Sequence, residues 1–327
     1  MPDRSLGIHT NLIGAFEAAA SYGTAPGSGS YVSLPYISNG GLAKMQSLIA
    51  DDTVGNGRHR RDHVLDAIDV AGDLSLPVDV ESVGWWLSLL LGPPTTTGPS
   101  DNAYYQHDWV SGALDLPSAA LEFAHPHVGA GQYQRIVGVQ ANTLSFTRTR
   151  SGQATMTVGL IGKNESFEAA VADGNPTVWP LYDRFHNFKG ALKVDGSAYA
   201  YVTEVALNFT NNMTPLDTLT DDGTIEGVDE GQAAASGTLT ARFSSTDLID
   251  LAEAGTPIDL EFGWEFSATK KLTFTIGRAF IERPKVLVSG PGGVAVQYNW
   301  QASLNASDGG EMTATLFNAV ASYGSFT

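Results

Sequence analysis

Apolar and polar residues alternate along most of this chain, which is the period of a half-buried strand. Between Val70 and Val80 the apolar positions Val70, Leu74, Leu76, Val78 and Val80 share one face, and Pro77 marks an edge strand or a bulge. Val205, Leu207 and Phe209 alternate in the same way within VTEVALNFTNN. YVSLPYIS, ALEFAH, YQRIVGVQANTLSFTRTR, ATMTVGLIG, DLEFGWEF, KLTFTIGRAFIE and GVAVQYNWQASL add further strands, and RSGQ reads as a turn joining two of them. Two stretches change to helical spacing. Val83, Trp86, Leu87 and Leu90 recur one turn apart, Ser82 is placed to cap the first turn, Gly92 to take a left-handed position, and Pro93–Pro94 to stop the helix. This predicts a helix over 82–91, and TDLIDLAEAG predicts a second over 247–254. The fold class is all-β with short flanking helices.

Between these elements lie long polar stretches. Residues 1–30 are rich in Ala, Gly and Ser and read as an N-terminal arm, with LIGAFEAAASYG able to hold a short helix before TAPGSGS breaks it. Residues 39–70 carry few strand signals and read as a long loop, of the kind that is functional or ordered by a partner. Residues 93–118 form a Pro-, Gly- and Thr-rich excursion, and 211–235 a second long polar loop. A repeat links the halves. GDLSLPVDVESVGWWL begins at Gly72 and GTLTARFSSTDLIDL at Gly237, an offset of 237 − 72 = 165 residues. Leu74 then matches Leu239, Val78 matches Phe243 and Val83 matches Leu248. This organisation gives two related β modules, 31–170 and 171–327, each a strand followed by a short helix.

Composition narrows the chemistry. The 327 residues include no cysteine, which removes disulfides, cysteine zinc sites, iron–sulfur centres and thiol nucleophiles. With 36 glycines and 9% aromatics the chain reads as ordered and turn-rich. A folded monomer of this mass exposes about 12,900 Å². The opening MPDRSLGIHTNLIGAF is too polar for a secretion signal, and no apolar run is long enough to span a bilayer. The net charge of −17 repels phosphate and disfavours general duplex binding. GPGGV at 290–294 lies between strands and reads as a hairpin turn rather than a phosphate loop. His59 with His63, and His125 with His127, lack the convergent third ligand that a metal requires. Asp259, Glu261 and Glu265 project from one side of a strand, the arrangement a glycosidase would use, but also that of a solvated acidic face. No cofactor is implied.

Charge placement says more. RHRRDH concentrates Arg58, Arg60 and Arg61 in a chain of only 18 basic residues, whereas Asp217–Glu265 holds 12 acidic residues against Arg242 alone. Between copies of the chain such loops are complementary. A DD pair lies in each long loop, Asp51–Asp52 and Asp221–Asp222. The candidate contact residues are therefore Asp51, Asp52, Arg58, His59, Arg60, Arg61, Asp221 and Asp222.

ASYGTAP with YVSLPYIS, LIADDTVGNGRHRRD, DVAGDLSLPVDVESVGWWLSLLLG and YQRIVGVQANTLSFTRTRSGQATMTVGLIGKNE, in that order, resemble the major tail tube proteins of siphophage-type tailed bacteriophages. The likeness is best over 20–166. It implies a β-sandwich or barrel-like tube module and a non-enzymatic structural subunit that self-assembles into stacked rings. Through these rings DNA leaves the virion without specific binding. A six-module ring means six chains, or three if both halves are modules. It further implies contacts with tape-measure, terminator and distal tail proteins, no membrane, synthesis in the host cytoplasm, and an inter-ring role for Asp51, Asp52 and Arg58–Arg61. The alternatives are another tail component, such as a terminator or baseplate subunit, a carbohydrate-binding or glycosidase module, and a nucleic-acid binder held by RHRR.

Overall fold

The computed structural model describes residues 4–55, 57–100, 103–129, 132–179, 183–190, 192–199, 201–288 and 290–324. In chain order the strands are β1 (Asn11–Phe16), β2 (Val32–Leu34), β3 (Ser38–Asn39), β4 (Ala43–Ile49) and β5 (Val64–Pro77), followed by helix α1 (Val83–Leu91). Then come β6 (Thr95–Ser100), β7 (Tyr104–Val110), β8 (Ala119–Ala124), β9 (Tyr133–Thr149), β10 (Thr155–Ile161), β11 (Asn164–Glu168), β12 (Lys193–Val194) and β13 (Ser197–Ala198). The remainder is β14 (Val202–Thr210), β15 (Thr214–Leu216), β16 (Gly227–Asp229), β17 (Ala234–Arg242), helix α2 (Asp247–Ala254), β18 (Ile258–Ser267), β19 (Lys270–Ile281), β20 (Ala295–Ala302) and β21 (Thr313–Asn318).

Among the described residues all the strand pairs are antiparallel. One row runs β4–β5–β10–β9–β14–β17–β20. A second runs β12–β18–β19–β21–β7–β6. They meet where the C-terminal end of β19 turns onto β20. The long β9 also serves two groups, its first half pairing with β8 and β11 and its second with β10 and β14. The halves of the chain are thus joined edge to edge, Thr149 opposite Glu204 and Thr143 opposite Thr210.

Helix α1 packs against both β9 and β7, and all nine of its residues are buried. A helix apolar on every side has no solvent face to keep. Trp85 stacks on Phe16, and Trp86 meets Trp85 edge-on. The other end of the core is aromatic as well, with Phe146, Phe262, Trp264 and Phe274 in mutual ring contact. α2 instead is amphipathic and buries Leu248 only. Glycines permit the closest strand approaches. A Cβ on Gly72 would overlap the Leu42 backbone nitrogen, and one on Gly237 the Ala206 carbonyl oxygen and the Trp300 ring.

Several expectations are corrected. LIGAF falls in strand β1, not a helix, and β1 lies between β2 and β8 within the region read as an arm. The loop expected at 39–70 is largely a β-hairpin, β4–β5, and the described residues between Ile49 and Val64 belong to no strand. The excursion at 93–118 contains the β6–β7 hairpin. Helix α1 begins at Val83, and Ser82 does not cap it through its side chain. Asp79 instead fixes the turn that leads into it: its carboxylate accepts from the Glu81 and Ser82 amides and from the Ser82 hydroxyl. Gly92 has positive φ, but with extended ψ, so the left-handed cap appears only at Gly255 of α2. The repeat partners Leu74 and Leu239, and Val83 and Leu248, are all buried, whereas Val78 is buried and Phe243 exposed.

Candidate functional site

The most unusual part of the surface is the β4–β5 hairpin. Its stem is held at the base, where Ala71 pairs with Ile161 of β10 and the Gly162 amide donates to the Val70 carbonyl. Above Val70, β5 has only β4 as a strand partner. From Val70 to Val64 the ribbon rises about 20 Å at the usual strand pitch. Side chains on both of its faces meet solvent. Met45, Leu48, Val64 and Leu65 are each more than 60% exposed, and Leu48 pairs with Leu65 and Ile49 with Val64 across the ribbon. A two-stranded ribbon with apolar pairs and no packed face is marginal in isolation. Exposed apolar area of this extent marks a contact surface.

The tip carries the charged residues singled out in the sequence. Asp52, Arg58, His59, Arg60 and Arg61 are exposed, and Asp51 is partly so. The Asp51 carboxylate accepts from the Thr53 amide and hydroxyl, which holds the turn and keeps its pKa below the ordinary carboxylate range. The structure does not gather all eight candidates at the tip. Asp221 and Asp222 sit lower, beside the stem of the same chain, where the Ile68 amide donates to the Gly223 carbonyl at 2.8 Å. Asp222 accepts from the Thr224 amide and hydroxyl and is likewise held below its usual pKa. The acidic loop thus braces the hairpin within one protomer.

The remaining chemistry is structural. Glu261 pairs with Lys193 at 2.6 Å and Glu265 is exposed, whereas Asp259, beside Glu261, keeps one carboxylate oxygen buried without a partner and has its pKa raised, first by burial and then by the Glu261 charge. His125 bonds to Gln134, and His127 meets the His9 ring edge-on. Among the described residues no three His, Asp or Glu side chains converge as a metal site. Nor is any helix long and apolar enough to cross a membrane. Buried groups that escaped sequence reasoning include Glu17 and Arg148. Glu17 accepts from Gly23, Gly138 and Ser118, tying the segment after β1 to β9, and its pKa is raised by burial. Arg148 lies within the predicted strand run YQRIVGVQANTLSFTRTR and is not singled out there, yet it is 8% exposed.

The exposed area is 16647 Å², well above the roughly 12,900 Å² of a compact monomer of this mass. A search of curated proteins finds no match. The family model described as phage tail tube protein matches residues 9–302, about nine-tenths of the chain. The function of that family is structural rather than enzymatic, and its members are parts of the virion. This chain, all-β but for two short helices and built to be completed by copies of itself, belongs to the phage tail tube protein family.

Proposed function

We propose that the β4–β5 hairpin is the axial contact of the tube: it leaves the top of one ring and seats on the next. The observation that carries this is a ribbon whose upper cross-strand pairs, Leu48–Leu65 and Ile49–Val64, are exposed and apolar, with charged residues at its tip. Burying Leu48, Ile49, Val64 and Leu65 against a neighbour supplies the drive, at about 25 cal/mol per Å² of apolar surface covered. Asp51, Asp52, Arg58, His59, Arg60 and Arg61 then fix the register. The Asp221–Asp222 loop, braced on the same stem, holds the hairpin upright.

Each ring has six modules around an electronegative bore through which DNA passes without being held. The two-module reading, 31–170 and 171–327, is supported by the close-approach glycines Gly72 and Gly237 and by the buried pairs Leu74/Leu239 and Val83/Leu248. Two modules per chain make the ring a trimer. At its ends the tube meets the terminator and distal tail proteins, and the tape measure occupies its bore during assembly. A terminator or baseplate role for the same fold predicts single rings that never extend.

Electron microscopy of the purified chain separates these readings. Wild-type protein is expected to form long tubes. Arg60→Glu with Arg61→Glu is expected to leave the circular dichroism spectrum unchanged and to abolish or shorten them. Full-length tubes from the double variant would show that the tip does not set the stack.

A further inference from the structure

We propose that the cavity around Arg148 is a carboxylate receptor, filled in the assembled tube by Asp51 or Asp52 from the hairpin tip of the adjoining copy. This rests on the stacking role of the hairpin and names the surface on which it lands.

Arg148 lies near the C-terminal end of β9, on the inward face that also carries Leu144 and Phe146. Its Nη2 donates to the Asn187 carbonyl at 3.2 Å and to the Gly190 carbonyl. Its Nε is buried without an acceptor. Among the described residues no carboxylate pairs with it, whereas Arg135, on the same strand, holds the buried Glu122 at 2.7 Å. Two carbonyls do not neutralise a guanidinium taken out of water, and an unpaired buried charge destabilises the fold that holds it. Burial pulls its pKa down from the ordinary arginine value, but a guanidinium stays charged.

The cavity beside it has a volume of about 360 Å³. Arg150, Tyr199, Tyr201, Thr203 and Glu204 share its wall, so two arginines face one glutamate. It therefore has room, net positive charge and hydroxyl donors for one further carboxylate. The field of a chain carrying −17 repels a mobile anion, but a carboxylate delivered by assembly is held in place by its own fold.

Strand register says which carboxylate. Leu160 of β10 pairs with Gly72 of β5 on one side and with Ala141 of β9 on the other. β5 and β9 are both antiparallel to β10 and so run in the same direction. From that common row Arg148 is 148 − 141 = 7 residues downstream, while the hairpin tip begins 72 − 64 = 8 residues upstream. The cavity and the tip are thus at opposite ends of the sheet, about 50 Å apart along the strands. Copies stacked head to tail bring the one onto the other. Asp52, on the acidic limb of the tip, is exposed.

The absence of native cysteine makes the test direct. Asp52→Cys and Thr203→Cys both lie on exposed positions, and in one full-length chain they report the contact as a disulfide under mild oxidation. The expected result is a ladder of covalent oligomers from assembled tubes, absent from either single variant. Tubes that form without a ladder overturn the receptor and leave the stacking role intact. Failure of the wild type to form tubes overturns both. A second arm uses Arg148→Gln and Arg148→Lys. The glutamine variant is expected to remain folded and to need at least 10-fold more protein for assembly, the lysine variant less. Assembly of the glutamine variant at wild-type concentration overturns the proposal.

Discussion

Glu81→Gln is expected to stabilise the protomer at alkaline pH and to flatten its pH dependence. Glu81 precedes α1, is 7% exposed, and keeps one carboxylate oxygen buried without a partner. Burial raises its pKa first and the neighbouring Asp79 charge second. Lys270, which pairs with Asp183, offsets only part of this, and the group is pushed up to about 7 from 4.5. The folded chain therefore holds this proton more tightly than the unfolded chain does. Below pH 4.5 both states are protonated and Glu81 costs nothing. Between 4.5 and 7 the native state loses stability as pH rises, by up to about 1.4 kcal/mol per pH unit. Above 7 the full cost is about 3 kcal/mol. Glutamine keeps the size and removes the charge. For a chain of this length the gain at pH 8 corresponds to about 4 °C in Tm. The assay is thermal unfolding of the dispersed protomer from pH 4.5 to 8. The two melting curves should coincide at pH 4.5 and separate progressively towards pH 8. A constant offset, or a variant less stable at pH 8, would refute the buried-charge account.

Three further perturbations test the packing. Gly237→Ala puts a methyl group into the Ala206 carbonyl oxygen and the Trp300 ring, and should cost at least about 3 kcal/mol because backbone cannot move aside as a side chain can; urea titration measures it. Trp85→Ala removes a fully buried ring stacked on Phe16, and a loss of about 3–5 kcal/mol is expected in the same assay. Asn211→Ala leaves the Leu90 and Ala141 carbonyls without the amide that now reaches both at 2.9 and 3.1 Å; a loss of about 2 kcal/mol is expected, with faster amide exchange at the end of α1.

The sequence was readable where one face meets the core and the other meets water. β17 and β20 alternate cleanly in burial, and α2 matches its predicted span of 247–254. It failed where that contrast vanishes. β1 is buried through Leu12–Ala15 on both faces, so its run of apolar residues shows no period and passed for a helix. The upper half of the β4–β5 hairpin is exposed on both faces, so Met45, Leu48, Ile49, Val64 and Leu65 follow no core-facing rhythm and passed for a loop. Among the site residues, the tip stood out through its arginines. Arg148 did not, since nothing local distinguishes an arginine that turns inward from the exposed Arg150 two residues on. The position of Asp221 and Asp222 beside the stem depends on tertiary contact with Ile68, which no local pattern encodes.

The most direct test is a cryo-electron-microscopy reconstruction of the assembled tube, read at residues 50–63. The account predicts that this segment of every protomer crosses the boundary between rings and ends against the Arg148 side of the neighbour. Density that leaves the segment in solvent, or folds it back within its own ring, would contradict it.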